Sequence, residues 1–360
     1  MNTLKNIIMI GDFGKDLDDE NALLYAVGAH RACEINLAAI VANLSPALLR
    51  ARIARGMLEY LGTDIPVGLG TSCNVEDDTQ EYEANIPYLS KNTDFEDGQK
   101  LIKNTMEKVP DKSVVLLLNS GLTDTAELMK NNPPLCKRKL SRVAIMGGVV
   151  CEEEQIKLNA KGHMTPDDAA NNNFDPESAE FVYEWLQSQN IPMSVLTRNA
   201  AYACKFDIGF YESLVKSDNT IGRGIRDRQR PATEHLWKAA NAPSGSETRG
   251  TLPDRCTRKW FVDAYLDGID PGKIENIWDP TLKIGTFQYD PLNVASMVRP
   301  ELFVPTKITV DKTEHQVIGL SSPEPGIANA DNLRKDIRDN IINALKLVSS
   351  SDQQNNTCET

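Results

Sequence analysis

Short runs of consecutive apolar residues alternate along the chain with longer stretches whose apolar positions recur every three or four residues. Asn6-Ile7-Ile8-Met9-Ile10 is the first run and ends at Gly11-Asp12. Asn21–His30 follows, with Leu23, Leu24 and Val27 on one side, the spacing of an amphipathic helix. Ile35–Ala42 is a second run ending at Asn43, and Pro46–Leu61 then keeps a helical period interrupted only by Gly56. Ile65–Leu69 makes a short third run. Val114–Leu118 makes a fourth, leading into a helix over Thr123–Lys130. Val143–Met146 closes on Gly147-Gly148, and Met193–Leu196 is the sixth run. Continuous apolar strands between amphipathic helices predict an α/β fold, a mainly parallel central sheet flanked by helices on both faces. Such sheets bind ligands beyond the carboxyl ends of their strands. Those ends carry Asp12, Asn43, Asn119-Ser120, Gly147-Gly148 and Thr197-Arg198.

Composition narrows the partners. The 360 residues are 41% hydrophobic and 25% charged, an ordinary globular mixture with room for a substantial core. A net charge of −12 argues against binding duplex nucleic acid, which calls for a basic face. It suits a small-molecule ligand or a metal ion held by carboxylates. The first apolar run is too short for a secretory signal, and no stretch is long enough to span a membrane, so a cytoplasmic protein without a membrane partner is expected. The seven cysteines, at 33, 73, 136, 151, 204, 256 and 358, show no CxxC spacing, which favours reduced thiols over a zinc site or disulfide framework. The polar tail over 349–360 reads as disordered.

The loop after the first run changes the picture most. Between Asp12 and Glu20 it holds five acids within nine residues: Asp12, Asp16, Asp18, Asp19 and Glu20. A helix N-terminus explains one or two of them, through capping and the helix dipole. Five repel one another unless a cation sits among them, and oxygen-only ligands select calcium or magnesium. Spacing alone leaves a metal site and a solvated acidic cap both open, and an EF-hand is excluded because its D-x-D-x-D-G ladder is missing.

Six segments in order carry a resemblance. They are Asp12–Glu20, Asn43-Leu44-Ser45, Leu118–Asp124, Ile145–Gly148, Gly162–Ala179 and Tyr289–Ala295. They look like the D-x-D-P-G-x-D-D-A loop, the G-N-x-S, G-P-L-T-N and M-G-G turns, the G-N-x-T-P…E-F-N-x-x-x-D-P-E-A segment and the late H-D-x-x-A-V of the inosine–uridine-preferring nucleoside hydrolases. The chain thus resembles a divergent member of that family, with one nucleoside-hydrolase-like domain over 1–348 and a divergent insertion at 205–285. The resemblance implies a nucleoside or other ribosyl ligand, a Ca2+ cofactor and a homo-oligomer. Its metal ligands would be Asp12, Asp19, the carbonyl of Thr123 and Asp290. Its ribose contacts would be Asp18, Asn43, Asn171 and Asp290. A hard cation can hold vicinal hydroxyls beside an attacking water. A carboxylate takes the proton, and the C1′–N bond breaks through a cationic ribosyl state.

Departures from the pattern bear on catalysis. The family's second loop aspartate, a metal ligand and candidate base, falls on Gly14, leaving Asp12 and Asp16 to compensate. The late histidine is Tyr289, a weaker acid for the leaving base. In the central segment His163 and Ala169 stand where the family has asparagine and glutamate. His163 reads either as a contact for a 5′-phosphate or as a surface histidine. Arg223, Arg226, Arg228 and Arg230 read as a solvated face in preference to an anion-binding lid. Trp237, Trp260, Phe261 and Tyr265 read as core in preference to a base-stacking wall. The expected function is calcium-dependent hydrolysis of a nucleoside or a modified or phosphorylated ribosyl compound. The alternative is a catalytically impaired member that binds a ribosyl ligand or a protein.

Overall fold

In the computed structural model, residues 4–346 are described, apart from 74, 78, 251, 273–275 and 280. The expectation for 349–360 lies outside them. Strands follow the chain as β1 Lys5–Gly11, β2 Ile35–Ala42, β3 Val67–Leu69, β4 Glu96–Asp97, β5 Val114–Leu118 and β6 Leu140–Gly147. A small hairpin, β7 Cys151–Glu152 and β8 Gln155–Ile156, precedes β9 Met193–Thr197. β10 Phe206–Asp207 pairs with β11 Gly285–Thr286, and β12 Thr306–Val310 and β13 Thr313–Ile318 follow.

Nine of these make one sheet in the order β12-β13-β9-β6-β5-β1-β2-β3-β4. All its pairings are parallel except β12 with β13. The mainly parallel, helix-flanked sheet expected from the apolar runs is therefore present. Alternate residues of each strand enter opposite cores, since side chains point to the two faces in turn. Ile7 and Met9 join one apolar cluster; Ile8 and Ile10 join the other. Burial on both sides is why these strands read as unbroken apolar runs.

The strand ends line up at one edge of the sheet. The Asn43 amide donates to the Gly11 carbonyl at 3.1 Å, and that of Asn119 to the Ile10 carbonyl at 2.9 Å. The chain leaving β1 turns directly into helix α1, Leu17–Arg31. This start is four residues earlier than the apolar period suggests, because Asp18, Asp19 and Glu20 are themselves buried in the first turn. Asp16 sits at the N-cap but makes no side-chain capping bond. Capping therefore does not account for the acidic loop.

Two corrections concern the expected bulk properties. Cys73, Cys136, Cys151, Cys204 and Cys256 are free thiols, whereas Cys33 is disulfide-bonded. The arginine-rich segment is a long helix, Thr220–Asn241, and only part of it is solvated. Arg223, Arg226 and Arg230 form surface ion pairs with Asp218, Asp227 and Glu234. Arg228 is buried and grips Glu20. Among the described residues no helix is long and apolar enough to cross a membrane.

Candidate metal and ribosyl site

A cavity of about 330 Å³ opens at the carboxyl edge of the sheet. Asp12, Asp18, Asp19 and Asp290 lie on its floor, with Asp16 nearer solvent and Asn119 and Asn171 beside them. Asp18 and Asp19 arrive on the first turn of α1, and Asp290 on the first turn of the helix Tyr289–Val298. Backbone donors fix two of the carboxylates. The Asp12 amide donates to Asp19 Oδ1 at 3.2 Å, and the Asp290 amide to Asp18 Oδ2 at 3.3 Å. A buried chain ties the two helices together. Asn21 Nδ2 donates to Gln288 Oε1 at 2.8 Å, and Gln288 Nε2 donates to the Tyr211 hydroxyl at 2.9 Å.

Asp18, Asp19 and Asp290 each offer an oxygen within 4.8 Å of the others, and all three are buried. Burial raises their carboxyl pKa values, and the mutual repulsion of the acids raises them further. Asp18 is pushed up to about 8, by burial first and then by the charge of Asp16. Burial also raises Asp12. Such a group either holds protons or holds a cation. Three convergent carboxylates with no nitrogen or sulfur donor fit a hard divalent ion. Asn119 supports the same reading for the cavity as a ligand site. Its side chain is 1% exposed and lines the floor, yet its Nδ2 has no partner.

The positions singled out in the sequence separate into two sets. Asp12, Asp16, Asp18, Asp19, Asn171, Tyr289 and Asp290 all line the cavity. Asn171 Nδ2 donates to the Met146 carbonyl at 3.1 Å, which orients it beside the floor. Asn43, Thr123 and His163 are not among the lining residues. Asn43 is fully buried, and its Nδ2 is engaged by the Gly121 carbonyl and the Asp124 carboxylate. Thr123 opens the helix after β5, and its hydroxyl donates to Asp175. His163 is not the surface residue of one reading: it is buried, 3.8 Å from Asp311, and lies outside the cavity lining.

Aromatic rings form the wall above the floor. Tyr289 lies 6.4 Å from Tyr202 and 5.8 Å from Phe287, ring to ring. Burial, with Tyr265, Tyr202 and Asp18 near, holds the Tyr289 hydroxyl well above the ordinary phenol range. It therefore stays protonated and can donate a hydrogen bond. Trp260 and Tyr265 also line this wall, whereas Phe261 is fully buried in the core. Arg198, at the strand end expected to face a ligand, also lies on the wall; Tyr202 and Arg255 beside it have no distinguishing signal in the sequence, since nothing in the linear order brings residue 255 beside residue 198.

The chain as a whole is similar to known proteins. The family model for inosine-uridine preferring nucleoside hydrolase matches residues 7–348. The chain belongs to that family. No curated protein matches it by sequence. Among solved structures, type III effector protein XopQ complexed with adenosine diphosphate ribose is similar at 23% identity and TM-score 0.74, covering 96% of this chain and 94% of that one. The purine-preferring ribonucleoside hydrolase from Gardnerella vaginalis is similar at 18% identity and TM-score 0.61, with 95% and 99% covered. An inosine-uridine preferring nucleoside hydrolase from Bacillus anthracis gives 14% and 0.58, with 94% and 100% covered. At these identities the likeness establishes a shared fold.

Proposed function

We propose that this chain is a calcium-dependent N-ribosyl hydrolase that acts on a nucleoside or a phosphorylated ribosyl compound. The observation that carries the proposal is the convergence of Asp18, Asp19 and Asp290 on the floor of the cavity. Membership in a family of nucleoside hydrolases supports the reaction class. The adenosine diphosphate ribose held by XopQ supports a ligand larger than a nucleoside.

The roles follow from placement. Asp19 and Asp290 would hold the ion, with Asp18 between them and the ribose hydroxyls. The ion would polarise those hydroxyls and a water. Asn119 Nδ2 and Asn171 are the neutral partners for the sugar. Asp12 is the floor carboxylate left to accept the water's proton. The floor carboxylates favour the positive charge that develops on the ribosyl ring. Tyr289 donates a hydrogen bond to the departing group and keeps its proton.

One observation favours a second reading, ligand binding without efficient hydrolysis. Gly14 has φ +88°, and the direction its side chain would take leads toward Ile53, Ile86 and Arg50, which are buried, not toward the cavity. No carboxylate reaches the floor from that position. Reducing-sugar release from a panel of nucleosides, nucleotides and adenosine diphosphate ribose, with calcium and with chelator, separates the two. Release that depends on calcium and is lost in Asp12→Asn is the expected result. Tight ribosyl binding with no release from any substrate would sink the hydrolase and leave the binding protein.

A further inference from the structure

We propose that Arg198 and Arg255 form an anion subsite at the cavity wall, for a phosphate or pyrophosphate carried by the ribosyl ligand, and that the Asp168 carboxylate occupies it until the ligand binds. The inference rests on the reading that the acidic floor holds the ribosyl unit.

Both arginines line the same cavity although they come from distant parts of the chain. Arg198 opens the helix Arg198–Ala203 directly after β9, and Arg255 lies in the segment before the helix Arg258–Tyr265. They meet on one carboxylate. Arg198 Nη2 is 2.9 Å from Asp168 Oδ1, and Arg255 Nε is 3.5 Å from Asp168 Oδ2. One oxygen for each guanidinium is also how two oxygens of a phosphate would be shared. Arg198 keeps a spare donor as well, since its Nη1 is buried and has no partner.

The two aspartates on Arg198 differ in how firmly they are held. The Asp167 side chain is 16% exposed, lies 3.3 Å from Arg198 Nη2, and accepts from the Ala169 amide and Asn172 Nδ2. It orients the arginine. The Asp168 side chain is 54% exposed. A pair so open to solvent contributes little, about 0–1 kcal/mol, so a doubly charged phosphate can replace it. Room for that exchange exists. Asp168 lines a second cavity of about 290 Å³, and Arg198 borders both cavities.

The subsite also lies within reach of the floor. Tyr289 follows the floor's edge next to Asp290, its ring is 6.4 Å from Tyr202, and Tyr202 is one helical turn from Arg198. A phosphate linked to a ribose on the floor spans that interval more readily than a nucleoside alone.

The test is calorimetric titration of the full chain, with calcium present, using ribose, ribose 5-phosphate and inorganic pyrophosphate. Ribose 5-phosphate should bind at least about ten-fold tighter than ribose, the scale of one charge-assisted contact. Arg198→Gln and Arg255→Gln should each remove that advantage while leaving ribose binding in place. Asp168→Asn should do the opposite and tighten ribose 5-phosphate and pyrophosphate by up to about 5-fold, because the competing anion is gone. Asp168 is exposed, so this variant remains informative if an arginine variant fails to fold. Equal affinity for ribose and ribose 5-phosphate, or weaker phosphate binding in Asp168→Asn, would overturn the subsite and leave the ribosyl floor standing. Pyrophosphate binding that Asp168→Asn tightens, with no ribose binding at all, would support the subsite and sink the floor reading instead.

Discussion

At position 14 the backbone has φ +88°, and an added Cβ would lie 2.5 Å from Ile53 Cδ1. Glycine tolerates both conditions; a side chain is strained by the positive φ and would push the Ile53 methyl aside. Restoring the family's acid by Gly14→Asp should therefore not restore a catalytic group. It should destabilise the fold by about 1–3 kcal/mol, the usual cost of a strained backbone with a clash, and leave sugar release unimproved. A thermal melt together with the release assay checks this. A gain in hydrolysis at unchanged stability would mean that the loop re-forms around the new acid. The same loop shows what single residues reveal in a sequence. Asp12, Asp18, Asp19 and Asp290 were legible, three from their density and the fourth from the family motif, and all four meet on one floor. Asn43 and Thr123 matched their motifs equally well but are not among the residues that line the cavity, and the Asn43 side-chain amide is engaged by Gly121 and Asp124. A motif records residue type, whereas the partner a side chain chooses depends on groups far away in sequence.

At the scale of elements, α1 and the Thr220–Asn241 helix are joined by one buried cluster. Arg228 Nη1 and Nη2 contact both carboxylate oxygens of Glu20, at 2.9 and 2.6 Å. The Tyr88 hydroxyl donates to the same carboxylate. Glu20 directly follows Asp19, so the cluster fixes the helix that carries the floor against the helix that supplies Gln229, Thr233 and His235 to the cavity wall. Replacing Arg228 by alanine leaves a buried carboxylate unpaired and should cost about 3–5 kcal/mol. Chemical denaturation measures that cost, and a loss below about 1 kcal/mol would show the pair to be solvated. This contact was hidden because a charge run usually marks a solvated face, and three of its four arginines behave that way. Six of the parallel strands, β1, β2, β3, β5, β6 and β9, were legible to within about three residues because both faces are buried. β4, two exposed residues long, and the β12–β13 edge were not, since β12 alternates half-buried and exposed positions at the sheet's border.

The whole molecule combines a net charge of −12 with a buried acidic floor, and this makes its stability depend on pH. The folded pKa values of Asp18, Asp19 and Asp290 lie above their ordinary value, with Asp18 near 8. Between about pH 4 and 8 the folded chain then holds more protons than the unfolded one, so stability without metal falls as pH rises through this window. A bound cation replaces those protons, so its affinity must rise over the same range. Titration of calcium into the chain at pH 6 and pH 8, beside Asp19→Asn, tests this most directly. One calcium site is expected, tighter at pH 8 and lost in Asp19→Asn. Calcium binding that survives Asp19→Asn, or no binding at either pH, would contradict it.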